Sequence, residues 1–357
     1  MQQQVRDGRL GGSHDTILIC DNNTVIDVDN NVPGGTMTGP ARVAVLIAVF
    51  LVGLTSLPPT ASAADEPPGT PDVRAFMDDL VPRQLTGFRI PGAAVSVVAD
   101  GRQVLAEGYG QADVEAKRPV EPDRTRFHID SVSKLITATA VMRLVEQDRL
   151  DLNTDVNRYL TEFKIRDTHP GRPVTLAHLL THTAGFEDPL IGSATTDLPD
   201  LGDHLAAAQP DRVRPPGGVH SYSDYGFELA GYLVQVRAGM PFEEYVEKHV
   251  FAPLGMSGTS FATSAAEGAR IQERAAGYSV EDGRMVRADR GYENRAPSVG
   301  VVSTATDMGR FMLAHLGGGA VGDTRILKRS TVRLMQQRQF GRDLRFPGLS
   351  FPFTEAH

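Results

Sequence analysis

The sequence is poor in cysteine and has no excess of basic residues, and each of these absences argues against certain kinds of site or partner. Cys20 is the single cysteine in 357 residues, and it precedes a predicted cleavage site, so we expect none in the mature chain. This argues against a disulfide framework, thiolate chemistry and a cysteine-based metal site. Asp and Glu number 44 against 36 Lys and Arg, giving a formal net charge of −8 without a basic stripe. We therefore expect no nucleic-acid partner.

Long apolar runs are also scarce, and one near the N-terminus has the features of an export signal. Residues 43–57 are largely apolar, follow Arg42 and precede an Ala-x-Ala pattern that ends at Ala63. The run is shorter than the ~20 residues that span a membrane and is typical of a secretory signal peptide cleaved near Ala63. We predict a signal peptide at residues 37–63, or an uncleaved N-terminal anchor as the only membrane attachment, and hence a secreted or cell-envelope protein.

Composition divides the remaining chain into three parts. Since Met37 begins a conventional signal sequence, residues 1–36 are interpreted as a non-native upstream extension. Residues 64–72 are rich in proline and predict a linker. The chain has an ordinary globular composition of 41% hydrophobic and 22% charged residues, and it is long enough for one large domain or two intertwined ones.

Apolar periodicity predicts one β-hairpin followed mainly by helices. The hairpin has strands at residues 94–98 and 103–106 around Asp100-Gly101, which is a turn signal. Residues 187–218 are predicted to be irregular. Helices are predicted at residues 72–80 (ended by Pro82), 131–148, 175–183, 229–236, 241–250, 304–316 and 328–337. One hairpin cannot satisfy its own edges, so the strands that complete its sheet lie beyond residue 357 or are hidden in the last third.

The tetrapeptide Ser131-Val132-Ser133-Lys134 stands at the start of an apolar stretch that predicts a buried helix. Three positions are just under one helical turn, so Ser131 and Lys134 project from the same face. A serine hydroxyl needs a base to become a nucleophile, and a lysine in an apolar pocket can be that base because desolvation favours the neutral amine. The helix N-terminus offers N–H groups to an oxyanion. The alternative is a helix cap followed by a solvated lysine.

A second candidate is Tyr222-Ser223-Asp224, which follows a Pro- and Gly-rich turn and precedes a predicted helix. A tyrosine at such a junction can point its hydroxyl into a cleft, where a nearby positive charge lets it move protons. The alternative is that Tyr222 packs at a domain seam. Ser223 or Asp224 is predicted to cap the helix.

The histidines favour structural roles. His178 and His182 are spaced like a helical metal pair, but Leu179 stands where a zinc protease has its glutamate, so we expect them to cap or brace the segment before Gly185. His128 is predicted at a strand end. We expect no metal and no cofactor, and the absence of a G-x-S-x-G motif argues against an α/β-hydrolase.

Five sequence blocks in order resemble the serine β-lactamase and penicillin-binding-protein group, specifically the class C β-lactamase-related serine hydrolases. The resemblance runs from about Val73 to Leu334 and implies one domain of this kind over residues 73–357, incomplete at its C-terminus. The blocks are FHIDSVSKL at 127–135, LLTHTAG at 179–185, YSDYG at 222–226, PLGM at 253–256 and VSTATDM at 302–308.

The resemblance implies acyl transfer by an exported serine hydrolase. Ser131 would attack a carbonyl to form an acyl-enzyme, Lys134 and Tyr222 would share the base and acid roles, and water would release the product. The substrate would be a small ester, a β-lactam or a peptidoglycan peptide. The implied fold class is α/β with α+β layering: a mainly antiparallel sheet flanked by helices, beside a helical domain, with the active site between them.

Two departures from the family pattern lead to a second hypothesis. Asp224 stands where the family has Asn; we place it among the substrate-binding residues, but an ionised carboxylate only accepts hydrogen bonds and favours the charged form of Lys134. The family's third motif, Lys/His-x-Gly on a strand beside the cleft, is missing, since His315-Leu316-Gly317 falls at a helix end. We therefore expect the C-terminal sheet strands to be missing, and the alternative function is a catalytically impaired cell-envelope binding or interaction protein.

Overall fold

The computed structural model describes residues 16–21, 70–188, 200–263, 268, 271–288 and 295–339. The predicted signal peptide and the tail after residue 339 lie outside these ranges. Within them, none of the helices has both the length and the apolar character that crossing a membrane requires.

The largest sheet is antiparallel and contains the predicted hairpin. Its strand order is β1-β2-β3-β4, formed by β1 (Thr16–Asp21), β2 (Gly92–Ala99), β3 (Arg102–Asp113) and β4 (Arg118–Pro119). Asp100 and Gly101 form the β2–β3 turn with positive φ angles of 50° and 73°, as an asparagine- or aspartate-glycine hairpin turn requires. The hairpin prediction is confirmed, and β3 is longer than the apolar pattern indicated.

Among the described residues, the strands that pair with this hairpin do not come from the last third of the chain. The outer edge of β2 pairs with β1, with Thr16 opposite Val98. Strands do occur in the last third, but they form separate small sheets. These are β5-β9-β6, β7-β8 and β10-β11, from β5 (Phe127–His128), β6 (Ser260–Phe261), β7 (Gly277–Glu281), β8 (Arg284–Ala288), β9 (Val301–Ser303), β10 (Ala320–Val321) and β11 (Thr324–Arg325).

Helices account for most of the remaining regular secondary structure in the described residues. They are α1 (Thr70–Phe88), α2 (Ser133–Val145), α3 (Leu176–Leu180), α4 (Leu201–Ala207), α5 (Asp224–Ala238), α6 (Phe242–Val246), α7 (Ala252–Leu254), α8 (Ala296–Val299), α9 (Ala305–Leu316) and α10 (Arg329–Gln336). Together with the antiparallel sheets they confirm the predicted fold class.

Two predictions about these helices are wrong. Pro82 does not end α1, because Met77, Val81 and Leu85, on both sides of the proline, are buried against the hairpin; this burial offsets the ~3 kcal/mol that an internal proline costs. The segment predicted to be irregular contains α4, whose N-terminus is capped by the Asp200 side chain and whose Leu205 is fully buried.

Helix α2 is the centre of the main core. It packs on α5 and α8, and its side chains from Ile136 to Leu144 are almost all buried, as its apolar sequence predicts. A helix buried on every side has a fixed position. Lys134 in the first turn of α2, and Ser131 in the turn just before it, are therefore held at the α2–α5–α8 junction.

The partly buried His315 predicts a loss of stability in acid. Its Nε2 lies 3.0 Å from Thr139 Oγ1, and burial lowers the pKa of His315 from 6.5 to about 4. The His315 ring binds a proton near pH 6.5 in the unfolded chain but only near pH 4 in the folded chain. The free energy of unfolding therefore has its full value above pH 6.5 and falls by about 3 kcal/mol as the pH drops from 6.5 to 4.

Urea denaturation of wild-type and His315→Gln protein between pH 7 and pH 4 measures this loss. Glutamine keeps a donor but does not titrate, so the variant should lose about 3 kcal/mol less over the interval. Parallel curves for the two proteins would contradict the assignment.

Candidate active site

Ser131 lies in a short 3-10 turn, Asp130–Val132, that leads directly into α2. The preceding Asp130 has a φ of 42°, in the left-handed region that aspartate tolerates better than most residues. Two hydrogen bonds attach the turn to β9: Ile129 N–H donates to the Val301 carbonyl at 3.1 Å, and Val301 N–H donates to Ser133 Oγ at 3.2 Å. The nucleophile candidate is therefore fixed between a strand and the N-terminus of a buried helix.

Lys134 is buried, with only 2% of its surface exposed. Its Nζ lies 3.2 Å from Ser131 Oγ and donates to the Ser298 carbonyl at 3.1 Å. Its nearest carboxylate is Asp224, with an N–O distance of 2.6 Å. The Tyr222 ring lies 4.8 Å from the same nitrogen, within cation–π range. This geometry excludes a solvated lysine.

Tyr222 completes a three-residue cluster around the serine oxygen. Its hydroxyl donates to Ser131 Oγ at 2.8 Å, across 91 residues of sequence. Ser131 Oγ thus lies within hydrogen-bonding distance of both a lysine nitrogen and a phenol, which are the two groups that sequence analysis paired with it. The structure brings all three predicted catalytic residues together.

His182 supports Tyr222 from behind. The two rings stack at 4.4 Å, and His182 Nδ1 accepts the Ser223 N–H at 3.0 Å. Burial, reinforced by the charge of Lys134, keeps the pKa of His182 well below its usual value, so the ring is a neutral acceptor. His178 Nδ1 accepts the Thr175 N–H in a capping box. The predicted capping and bracing roles of these histidines are confirmed.

No group of three or more His, Cys, Asp or Glu side chains suited to a metal ion occurs among the residues that the structure describes. His128 lies on β5 opposite Val302, at the predicted strand end. His315 belongs to α9 and contacts α2 at Thr139, a helical position that does not match the strand of the family's third motif.

Asp224 is the first residue of α5, and Ser223 is its N-cap through a bond from Gly226 N–H to Ser223 Oγ. One Asp224 oxygen faces Lys134 and the other accepts from Arg295. Burial would raise the pKa of Asp224, but the charges of Lys134 and Arg295 outweigh burial and hold this pKa below its usual value. Asp224 is therefore ionised, and its assignment to substrate binding stays a prediction.

Sequence reasoning missed three residues behind this pair: Glu228, Arg295 and Ser298. Arg295 Nε donates to Glu228 Oε1 at 2.7 Å, and Ser298 Oγ donates to the same oxygen at 2.9 Å. Burial would raise the pKa of Glu228, but a bond from His204 and the charge of Arg295 lower it overall. Glu228 follows Asp224 by four residues on α5, a spacing that signals a shared face; Arg295 lies in a stretch without periodicity.

The sequence model of the family described as Beta-lactamase matches residues 77–356. The chain belongs to the beta-lactamase family. The resemblance inferred from five sequence blocks is therefore confirmed, and the match extends past Leu334, where the visible resemblance ended.

Two curated members of similar sequence illustrate the relationship. A protein named beta-lactamase from Yersinia enterocolitica is 31% identical over 262 residues, which are 73% of this chain and 64% of that protein. Protein flp from Staphylococcus aureus (strain MRSA252) is 30% identical over 195 residues, which are 54% of this chain. The aligned part is only 39% of flp.

Solved structures show the same fold. The octameric penicillin-binding protein homologue from Pyrococcus abyssi superposes with a TM-score of 0.67 at 25% identity, over 78% of this chain and 64% of that one. The D-alanine carboxypeptidase AmpC from Burkholderia cenocepacia gives a TM-score of 0.60 at 28% identity, over 76% and 71% of the two chains.

The close approach of α5 to α8 predicts a sensitive glycine. A Cβ on Gly231 would lie 2.3 Å from Pro297 Cγ, so Gly231→Ala should push α8 away and carry the Ser298 carbonyl from Lys134. We expect the free energy of unfolding to fall by about 1–3 kcal/mol and Ser131 to react more slowly, as measured by thermal denaturation and active-site labelling.

Gly87→Ala is the matched control for Gly231→Ala. Gly87 lies in α1, where an added Cβ would meet nothing within 4 Å. The control should be at least as stable as wild type. Equal stability and reactivity of the two variants would show that helix spacing at Gly231 is unimportant.

Because His182 braces Tyr222, two replacements of this histidine should differ in their effects on stability and reactivity. His182 has a φ of 54°, which asparagine tolerates and alanine does not; an asparagine oxygen can also replace Nδ1 as the acceptor for Ser223. We expect His182→Ala to lose about 2–4 kcal/mol of stability and most Ser131 reactivity, and His182→Asn to lose less of both. Urea denaturation and labelling rates test this, and identical variants would contradict it.

Proposed function

We propose that the protein is a serine hydrolase that forms an acyl-enzyme on Ser131. The observation that carries the proposal is the position of Ser131 Oγ, 3.2 Å from Lys134 Nζ and 2.8 Å from the Tyr222 hydroxyl. A nucleophile within hydrogen-bonding distance of two proton-transfer groups is the arrangement that covalent catalysis requires. Membership of the beta-lactamase family supports the same chemistry.

The reaction would proceed in two halves. In the first, Ser131 Oγ attacks the carbonyl carbon while its proton passes to Lys134 in the amine form or to Tyr222 in the phenolate form. The oxyanion forms beside the N-terminus of α2, where backbone dipoles stabilise negative charge. The protonated group then gives its proton to the leaving group. In the second half, water attacks the ester, and the same groups move protons in the reverse order.

The proposed substrates are small molecules or peptides with an ester, amide or β-lactam carbonyl. The names of the relatives favour two activities within this range: that of a beta-lactamase and that of a D-alanine carboxypeptidase. An esterase uses the same first half-reaction. We further propose that the enzyme acts outside the cytoplasm, an inference that rests on the signal-like residues 37–63.

A second candidate function rests on the Lys134–Asp224 ion pair. A carboxylate 2.6 Å from Nζ favours the ammonium form of Lys134, which cannot accept the serine proton. A protein with this pair would keep the site for binding a cell-wall fragment without turning it over. Saturable, reversible binding of a peptidoglycan peptide to a protein that no acylating probe labels would support this function.

Covalent labelling tests the main proposal. We expect a fluorescent penicillin or a fluorophosphonate to add one adduct mass, mapped to Ser131 by peptide mass spectrometry. Ser131→Ala should abolish labelling, and Lys134→Met should slow it by about 10²–10⁴-fold, the usual contribution of a general base.

Ser279→Ala is the matched serine control, because Ser279 lies on the β7–β8 hairpin and bonds Glu281. This variant should label like wild type. A folded wild-type protein without any adduct, or an adduct that persists in Ser131→Ala, would overturn the proposal.

A further inference from the structure

The site contains a conflict that the proposed function alone does not resolve. Lys134 must lose a proton to accept one from Ser131, yet the Asp224 carboxylate lies 2.6 Å from its nitrogen. In a buried site, such a pair stabilises the ammonium form much more than it would in water. An asparagine, the residue that the family pattern has at this position, would carry no charge.

Arg295 reduces this conflict by its position. Its guanidinium lies between two carboxylates on successive turns of α5, with one nitrogen on Asp224 and Nε on Glu228. The planar guanidinium can bond two carboxylates at fixed geometry, which a lysine cannot. One Asp224 oxygen is therefore bound to a permanent cation, and only the other faces Lys134.

The same arginine also orders the opposite side of the lysine. Arg295 directly precedes α8, and its partner Glu228 accepts from Ser298 Oγ. The Ser298 carbonyl in turn accepts from Lys134 Nζ at 3.1 Å. Through Asp224 and through Glu228, Arg295 thus fixes two of the acceptors that surround the lysine nitrogen.

We infer that Arg295 is a positioning residue for the general base: it binds Asp224 so that this carboxylate does not hold Lys134 in its ammonium form. The inference rests on the proposed function, in which Lys134 accepts a proton. Lys134, Asp224, Arg295 and Glu228 form a cluster of two basic and two acidic side chains. Within the cluster, Arg295 contributes the positive charge that offsets Asp224.

The groups that face this cluster come from several elements. Ser131 and Tyr222 lie against Lys134, and the Phe227 ring is 6.0 Å from its nitrogen. His182 is close enough for the charge of Lys134 to lower its pKa further, and it is neutral. Behind Glu228, the His204 ring nitrogen lies 3.6 Å from its carboxylate. Burial raises the pKa of Asp188, and the charges of Glu228 and Asp224 raise it further.

The test is the pH dependence of Ser131 acylation by a fluorophosphonate, measured as a second-order rate constant. Arg295→Gln should move the ascending limb to higher pH by about 1 unit, which is a ~10-fold loss of rate below the limb. Arg295→Lys keeps the charge and should recover part of the shift. Asp224→Asn should move the limb to lower pH. Arg295→Gln should shift the limb less when it is introduced into the Asp224→Asn variant than when it is introduced into the wild-type protein.

A folding defect must be separated from this effect, because Arg295→Gln leaves the buried Glu228 without its arginine. The double variant Glu228→Gln with Arg295→Gln removes that uncompensated charge. It should keep wild-type circular dichroism and still shift towards higher pH, by less than Arg295→Gln alone because the negative charge of Glu228 is also removed. An ascending limb at the wild-type pH in both folded variants would overturn the inference.

A measurement that does not depend on acylation can distinguish failure of this inference from failure of the proposed function. The titration of Lys134 can be followed by NMR of its ¹⁵N-labelled side chain in wild-type and Arg295→Gln protein. We expect its midpoint to rise by about 1 unit in the variant; unchanged midpoints would overturn the inference. A wild-type protein that no probe labels, with this shift present, would count against the proposed function while supporting the role of Arg295.

Discussion

The burial of the Lys134 amine is the constraint on which the rest of the site depends. A buried charge costs several kcal/mol unless it is paired and hydrogen-bonded, so the fold must supply partners at short distances. They come from separate parts of the chain: Ser131 from the turn before α2, Asp224 from the start of α5, and the Ser298 carbonyl from α8. The three-helix junction exists in this form because α5 has a glycine where α8 approaches it.

How much of the site could be predicted depends on how far apart its residues lie in the sequence. Ser131 and Lys134 were found from local spacing alone, because one helical turn relates them. Tyr222 lies 91 residues from Ser131. Its place between a turn and a helix made it a candidate, but only the ordered set of motifs linked it to Ser131. Arg295 lies 67 and 71 residues from its two partners. An arginine in a stretch without periodicity gives no signal that it is buried, so the compensating charge was found only in three dimensions.

The fold was predictable to the same limited extent. The β2–β3 hairpin was found because alternating apolar residues surround a strong turn signal, and α2 because it is apolar on every face. Strands such as β5 and β6 contain two residues each, which is too short for any alternation to appear. Helix α1 continues through Pro82 because tertiary burial outweighs a local preference, a balance that no local rule contains.

The substitution at position 224 is best understood as one member of a pair. An aspartate without Arg295 would hold the base in its charged form, and an arginine without Asp224 would remain bound to Glu228 alone beside a second cation. Breaking a buried ion pair from one side typically costs 3–5 kcal/mol, whereas replacing both partners is often nearly neutral. The motif resemblance points to Ser131 as the nucleophile of the proposed mechanism, whereas Arg295, which lies outside those motifs, emerges only from the structure. In this chain, the aspartate at position 224 is bonded to an arginine whose charge offsets its own.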